Sequence, residues 1–257
     1  MQVLKFGGTS VANSENIAKV VAILKERSKK HQLITVVSAL GGATDTLLQL
    51  GLLANAKDDR YKEVLKDIKD RHLRTANELG LDFEAVEYLN EMLSELERIA
   101  QGIYLINEFS VKTQDRVLSF GERMSSFMIS EVLKKEVPQS QWADSRELIV
   151  TDANFSRAQV HSEVTHQNIR TYFKAQTRKV TVLPGFIARS EKGDTTTLGR
   201  GGSDFTAALV AAALDAEVLD IWTDVSGMYT ANPNVVQQAF PIREISYQEA
   251  MELSHFG

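Results

Sequence analysis

The sequence predicts an α/β fold in which helices sandwich a mainly parallel central sheet. Short apolar runs rich in β-branched residues recur at 3–6, 33–37, 180–183 and 218–222, as expected of strands that are buried on both faces. Each of the first two runs is followed by a glycine turn and then by a stretch with helical spacing of its apolar residues. This alternation of strand, loop and helix is typical of parallel sheets.

The N-terminal part of the chain follows this pattern element by element. Residues 3–6 form a first strand, and Asn13 or Ser14 is placed to cap a helix that runs to Lys30. The second strand ends in a glycine turn at residues 41–42, before another helical stretch. The apolar face of the first helix consists of Ile17, Val20, Val21 and Leu24.

The middle of the chain changes to long helices. Residues 61–106 predict two of them, separated by a stop at Gly80 and packed as an antiparallel pair. Most of their charged residues are expected on the solvated face. Residues 112–135 predict a further helix, in which Gly121 costs about 1 kcal/mol relative to alanine. That glycine therefore predicts either a break or a close contact.

The C-terminal part returns to strands, and we find no linker, repeat or low-complexity tract. The chain is therefore predicted to form one α/β domain with two lobes over residues 1–257. The predicted elements are a buried strand at 180–183, a hairpin at 186–198 that turns near 192–193, a helix at 203–214 and a buried strand at 218–222.

Composition excludes several classes of protein. The 257 residues are 43% hydrophobic and 25% charged, as in ordinary globular proteins, and the net charge of −5 argues against a nucleic-acid or membrane-surface partner. The chain has no cysteine and no apolar run of membrane-spanning length. Its five histidines are scattered, so no metal site is predicted. With no signal peptide visible at the N-terminus, a cytoplasmic protein is expected.

The first candidate site follows the first strand. Residues 5–10 read Lys-Phe-Gly-Gly-Thr-Ser, which places a cation and two glycines where a parallel strand ends. Glycines let backbone N–H groups approach a phosphate, and Lys5 can neutralise its charge. The lysine precedes the glycines, so this is not a P-loop of the Walker A type. A tight turn with a surface lysine is the alternative interpretation.

The second candidate site is the glycine-rich segment 199–204. It precedes a helix whose N-terminal N–H groups and dipole favour an anion. Arg200 offers a planar fork that suits a carboxylate. Asp204 either starts the helix by matching its dipole or orients a lysine or a magnesium ion.

Two further segments are candidates of lower specificity. Glu122, beside Gly121, either meets an ammonium group or forms a surface ion pair. Thr223, Asp224 and Tyr229 follow the last predicted strand, where ligands of open α/β sheets bind. They either hold the ribose and base of a nucleotide or form a polar loop.

These motifs together resemble aspartate kinases. The resemblance is carried, in the order of that family, by residues 5–11, 37–39, 119–123, 195–204 and 222–227, and the decapeptide 195–204 is highly specific. The N-terminus and residues 246–254 look most like the N-terminal domain of bifunctional aspartokinase–homoserine dehydrogenases.

The resemblance implies a fold, an activity and a set of partners. The fold would be the amino-acid-kinase fold, with an eight-stranded, mainly parallel sheet. The activity would be Mg²⁺- and ATP-dependent phosphorylation of the side-chain carboxylate of L-aspartate, the first step of lysine, threonine and methionine biosynthesis. The full-length protein would be a homo-oligomer.

The resemblance also implies residue roles. The catalytic set would be Lys5, Gly8, Ser38 and Asp204. The substrate-binding set would be Thr44, Glu122, Arg200 and Ser203, with Glu122 on the ammonium of aspartate and Arg200 on its carboxylate. The nucleotide-binding set would be Gly7, Thr9, Ser10, Gly201, Gly202, Thr223, Asp224 and Tyr229.

The sequence departs from that family in two places. It has Asn-Pro-Asn at residues 232–234 where the family usually has Asp-Pro-Arg, so a phosphate-contacting arginine is missing at Asn234, which bears on ATP affinity. The chain also stops at Gly257, where relatives continue, and we expect a truncated protein without the regulatory ACT domains.

Two rival functions follow from the same observations. One is another small-molecule kinase of the same fold, acting on glutamate, acetylglutamate or a nucleotide; the pairing of Glu122 with Arg200 favours a free amino acid. The other is a weakly catalytic or non-catalytic ligand-binding fragment of a larger allosteric enzyme, which both departures favour.

Overall fold

A computed structural model describes residues 1–233 and 235–256 of the chain. Asn234 and Gly257, on which both departures from the family pattern were argued, lie outside the described residues. The chain divides into two compact units, Met1–Trp222 and Thr223–Gly257.

The described residues contain eight strands and nine α-helices. The strands are β1 (Gln2–Phe6), β2 (Leu33–Val37), β3 (Ser140–Trp142), β4 (Val150–Thr151), β5 (Val180–Pro184), β6 (Ile187–Ser190), β7 (Thr195–Thr197) and β8 (Val218–Trp222). The helices are α1 (Ser14–Ser28), α2 (Ala43–Asn55), α3 (Tyr61–Glu78), α4 (Phe83–Ile106), α5 (Val111–Glu136), α6 (Ser145–Leu148), α7 (Ser162–Lys174), α8 (Gly202–Ala213) and α9 (Tyr247–Phe256).

The predicted parallel sheet is confirmed. Five strands pair in the order β3-β5-β2-β1-β8, and every pairing is parallel. Phe6 lies in register with Val37 and with Trp222, and Val37 lies in register with Pro184. The carboxyl ends of four strands therefore meet at one edge, where ligands of open α/β sheets bind.

Helices cover both faces of this sheet, as predicted. Leu4 and Phe6 of β1 belong to a core that includes α1 to α5, whereas Val3 faces a second core that includes α6, α7 and α8. The alternation of successive side chains along one strand thus supplies both cores. The antiparallel pairing of α3 with α4 is also confirmed, because Tyr61 contacts Tyr104 while Lys69 contacts Glu97.

The predicted eight-stranded sheet is wrong. The remaining strands form a separate sheet in the order β4-β6-β7, in which β6 and β7 are the predicted hairpin. The chain leaves β5 through Gly185 and Phe186, and Phe186 has a φ of 66°. This left-handed turn prevents β5 and β6 from continuing as one strand and redirects the chain into the second sheet.

Two other expectations need correction. Helix α5 runs without a break through Gly121, so only the close contact at that glycine is confirmed. Strand β8 has the predicted bounds, but it lies at the sheet edge and is not buried; Ile221 is 51% exposed. Among the described strands, β8 pairs with β1 alone, in keeping with this exposure.

The second unit contains α9 and an isolated antiparallel bridge between Tyr229 and Pro241. Among the described residues of the whole chain, no helix combines the length and the apolar character that a membrane span needs.

Candidate active site

An ion pair links the two glycine-rich segments that the sequence singles out. Nζ of Lys5, near the end of β1, lies 2.8 Å from Oδ1 of Asp204, in the first turn of α8. The lysine side chain is 10% exposed and the aspartate side chain 45%. Because the aspartate side opens to solvent, the pair holds an ammonium group at the sheet edge within reach of a ligand.

Gly7 and Gly8 bring backbone close to this ammonium. A Cβ on Gly7 would lie 3.6 Å from Nζ of Lys5, and one on Gly8 would lie 3.3 Å from the carbonyl oxygen of Ala39. The loops after β1 and β2 therefore pack backbone against backbone. Gly41 tightens the same contact, since its Cβ would lie 3.2 Å from the carbonyl oxygen of Gly8. Side chains at these positions would force the two loops apart.

Arg71 of α3 fastens these two loops together. Its Nη2 donates to the carbonyl oxygen of Ala12 at 3.0 Å and to that of Gly41 at 2.8 Å. Fixing carbonyl groups in this way also fixes the orientation of the adjoining peptide N–H groups. The sequence offered no signal for this role, because Arg71 reads as one more charged residue of the solvated face, and for this residue that expectation is wrong.

The N-terminus of α8 forms the other side of the ion pair. Gly201 caps the helix with a φ of 73°, and no side chain occupies the cap. A Cβ on Gly202 would clash with Phe186 at 2.8 Å, and one on Gly185 would lie 2.6 Å from Ser203. Glycines thus allow the helix to begin directly against the end of β5, with Ser203 and Asp204 in the first turn, where an anion is favoured.

Glu122 is buried on α5 without a charged partner among the described side chains. The residue is 4% exposed, and Oε2 has no hydrogen-bond partner there. Burial raises the pKa of its carboxyl group to about 8, against the opposing effect of the backbone N–H of Ala39. The surface ion pair that was the alternative interpretation is therefore wrong, and the orphaned oxygen fits a buried ammonium group supplied by a ligand.

Ser38 and Thr44 lie on the loop and helix after β2. The N–H of Ser38 donates to the carbonyl oxygen of Phe6 at 3.1 Å, and its own carbonyl accepts from Oγ of Ser125 at 2.6 Å. Thr44 is half-buried in the first turn of α2, next to the left-handed cap Gly42. The position of Ser38 between β1 and α5 is consistent with a site that these elements share.

The remaining predicted residues of the first unit are more exposed. Arg200 is exposed, and within the described part of the chain no ion pair involves it. Thr9 is exposed in a short 3₁₀ turn, and the hydroxyl of Ser10 donates to the carbonyl oxygen of Trp222 at 3.4 Å.

Sequence analysis missed one buried acid in the first unit. Asp115 of α5 is fully buried and accepts hydrogen bonds from the backbone N–H groups of Ser156 and Thr197, each at 2.9 Å. The hydroxyl of Thr197 donates to its other oxygen at 2.7 Å. The spacing of seven from Glu122 places both acids on one helix face, which was an available signal.

The three predicted nucleotide residues near the C-terminus belong to the second unit. Thr223 and Asp224 are exposed and share a hydrogen bond of 2.9 Å between the hydroxyl and Oδ1. Tyr229 is half-buried and forms the bridge to Pro241. Their places in the candidate site stay predictions.

Comparison with known proteins agrees with the sequence motifs. The chain is 35% identical over 258 residues to bifunctional aspartokinase/homoserine dehydrogenase 2, chloroplastic, of Arabidopsis thaliana, covering 98% of this chain and 28% of that protein. It is 35% identical over 263 residues to lysine-sensitive aspartokinase 3 of Escherichia coli, covering 99% of this chain and 56% of that protein. The resemblance to aspartate kinases is thereby confirmed. The chain spans about a quarter to a half of the length of these relatives.

A solved structure extends the agreement to three dimensions. E. coli aspartokinase III in complex with aspartate and ADP matches all of this chain and 56% of its own, with 34% identity and a TM-score of 0.88. The model of the amino acid kinase family matches residues 1–257. The chain therefore belongs to the amino acid kinase family.

Proposed function

We propose that the chain phosphorylates the side-chain carboxylate of L-aspartate with ATP, yielding β-aspartyl phosphate and ADP. The observation that carries the proposal is the Lys5–Asp204 ion pair, which stands between two glycine-rich anion sites at the carboxyl edge of the sheet. The E. coli relative whose structure resembles this chain is in complex with aspartate and ADP, which supports the choice of both substrates.

The chemistry explains why the site needs no catalytic base. The pKa of an aspartate side chain is about 4, so the attacking carboxylate is already ionised at neutral pH. One carboxylate oxygen forms a bond to the γ-phosphorus while the bond to the β-phosphate oxygen breaks, and ADP leaves with that electron pair. The difficulty is the repulsion between two anions. Lys5 and the first-turn N–H groups of α8 would offset it by electrostatic stabilisation.

Selection of a free amino acid would rest on two charged residues. Glu122 is buried with an orphaned carboxylate oxygen, which an ammonium group would satisfy. Arg200 has the planar fork that binds a carboxylate with two hydrogen bonds. A nucleotide acceptor would leave Glu122 without its cation, so this pair favours an amino acid over the nucleotide substrates used elsewhere on this fold.

The residues present fit ATP and do not form a metal cage by themselves. Lys5, Gly7 and Gly8, with the N-terminus of α8, offer the cation and backbone N–H groups that suit phosphates. Within the described residues no group of three or more acidic or histidine side chains is placed to hold a metal ion. Mg²⁺ prefers phosphate oxygens with one or two carboxylates, and it would therefore bind together with ATP.

The proposal is tested by aspartate-dependent turnover. Purified chain is incubated with Mg·ATP and L-aspartate; ADP release is followed by a coupled assay, and the acyl phosphate is trapped with hydroxylamine. We expect hydroxamate in the wild type and none with Lys5→Ala. A panel containing L-glutamate, N-acetylglutamate and UMP identifies another member of the fold if one of these is preferred.

Absence of turnover in folded protein would contradict the proposal for this chain. The same assay on a protein extended by the segments that follow in its relatives then separates a missing segment from a wrong substrate. Nucleotide binding without turnover in both would indicate a ligand-binding module. We also propose a cytoplasmic location and a homo-oligomeric full-length protein, on sequence grounds alone.

A further inference from the structure

Asp115 is a buried acid whose carboxylate accepts hydrogen bonds only from Ser156 and Thr197 among the described residues. Oδ2 accepts from the N–H groups of Ser156 and Thr197, and Oδ1 accepts from the hydroxyl of Thr197. The side chain is fully buried, and no basic side chain of the described residues pairs with it. A carboxylate in such a place is costly unless it is hydrogen-bonded, and three donors meet this one.

Thr197 and Ser156 both adjoin the segment that carries Arg200. Thr197 ends β7, two residues before Gly199. Ser156 adopts a φ of 71°, and its carbonyl oxygen would lie 3.3 Å from a Cβ on Gly199. A hydrogen bond from the N–H of Ala158 to the carbonyl oxygen of Thr197 joins the two segments directly. Asp115 therefore fixes both supports of the loop that leads into α8.

The same helix carries Glu122. Asp115 and Glu122 are seven residues apart in the continuous α5, so they project from one face two turns apart. At Gly121 the helix rests against Ala39 with no room for a side chain, which fixes it to the loop after β2. Helix α5 thus holds an ammonium-binding carboxylate at one position and the support of the Arg200 loop at another.

We propose that Asp115 is a positioning residue that sets the distance between Glu122 and the loop of Arg200, and so fixes the length of amino acid that the site accepts. This inference rests on the proposed function. Asp115 contacts no substrate in this scheme. It acts through Thr197 and Ser156, and its loss would affect L-aspartate more than ATP, because Lys5, Gly7 and Gly8 of the phosphate site do not lie on this loop.

The test is steady-state kinetics on Asp115→Leu. Leucine is close to aspartate in size but offers no acceptor, so all three hydrogen bonds are lost and the N–H groups of Ser156 and Thr197 stay buried without a partner. We expect KM for L-aspartate to rise about tenfold or more, the range that follows from leaving buried polar groups unpaired. KM for Mg·ATP should rise less than KM for L-aspartate, and the preference for L-aspartate over L-glutamate should fall.

Thr197 and Asp82 provide the matched variants. Thr197→Val removes only the hydroxyl bond and should raise KM for L-aspartate less than Asp115→Leu does, whereas Thr197→Ser keeps the bond and should behave as wild type. Asp82→Leu removes another acid that accepts a backbone N–H, at the start of α4, and should leave both KM values unchanged. Thermal unfolding and hydrogen exchange at the Thr197 amide check each variant.

Three results would overturn the inference. One is an unchanged KM for L-aspartate in folded Asp115→Leu, and another is an equal rise in both KM values. The third is a fall in kcat alone, which indicates a purely structural role through loss of active protein. If Asp115→Leu does not fold, the contrast between Thr197→Val and Thr197→Ser decides. Failure of the proposed function is recognised separately, because wild type would then show no aspartate-dependent turnover.

Discussion

At the scale of single residues, Glu122 restricts the chemistry of the ligand most, because its buried carboxyl group requires a cationic partner. Burial raises its pKa to about 8, so at pH 6 the free protein holds a neutral acid, whereas binding an ammonium group requires the carboxylate. We expect the dissociation constant of L-aspartate to fall about tenfold per pH unit between pH 6 and 7, and to level off above pH 8. Isothermal titration calorimetry measures this and also detects the released proton.

Glu122→Gln is the control for that titration. It keeps the shape and removes the charge, so binding should be weak and independent of pH over the same range. A wild-type dissociation constant that is flat from pH 6 to 8 would show that Glu122 does not bind the ammonium group.

The residues of the site differ in how far sequence could predict them. Lys5, Gly8 and Asp204 stand at a strand end and a helix entry, where local composition already indicates an anion site. Their assembly depends on pairing β1 with elements some 200 residues later, which only the recognised motifs anticipated. Arg71 donates to the backbone carbonyl oxygens of Ala12 and Gly41, which are distant in sequence. Every residue has a backbone carbonyl group, so the sequence does not indicate which ones Arg71 will bind.

At the scale of elements, uniform burial made strands predictable. Residues 33–37 form β2 with the predicted bounds because all five are buried between two helical layers. Strands β3 and β4 have three and two residues and were missed, because their pairing depends on neighbours that form elsewhere. The two-sheet arrangement was missed for a similar reason, since a positive φ at Phe186 has no signature in a non-glycine residue.

Gly121 tests how closely α5 must approach the loop after β2. A Cβ there would lie 2.8 Å from Cβ of Ala39, so Gly121→Ala should lower the free energy of unfolding by about 1–3 kcal/mol through overpacking. Gly102, near the C-terminal end of α4, has open space where a Cβ would lie. Gly102→Ala should instead stabilise the protein by up to about 1 kcal/mol.

Urea denaturation of both variants measures the difference. Equal stabilisation by the two alanines would show that α5 is not held at this contact, and it would weaken the argument that Glu122 is fixed relative to Ala39.

At the scale of the whole molecule, two buried titratable groups shape stability against pH. The pKa of Glu122 is raised from 4.5 to about 8 by burial, so its stabilising contribution is complete below pH 4.5 and is lost as pH rises to 8. Burial lowers the pKa of His72 from 6.5 to about 4, so its contribution is complete above pH 6.5 and is lost as pH falls to 4. Burial also raises the pKa of Asp115, which acts in the same direction as Glu122.

These opposing effects predict the profile of the thermal midpoint. Between pH 4.5 and 6.5 the effects of Glu122 and His72 on the midpoint oppose each other, whereas between pH 6.5 and 8 only Glu122 of these two groups acts and the midpoint should fall. In Glu122→Gln the decrease of the midpoint between pH 6.5 and 8 should be smaller. Below pH 6.5 the midpoint of this variant should decrease as the pH falls, because the unfolded chain protonates His72 whereas burial keeps it neutral in the folded protein. Adding His72→Phe should remove this drop, because the unfolded chain no longer gains a proton there. Differential scanning calorimetry from pH 4.5 to 8.5 on wild type, Glu122→Gln and the Glu122→Gln, His72→Phe double variant measures these midpoints. A wild-type midpoint that rises between pH 6.5 and 8 would show that Glu122 is ionised in the free protein.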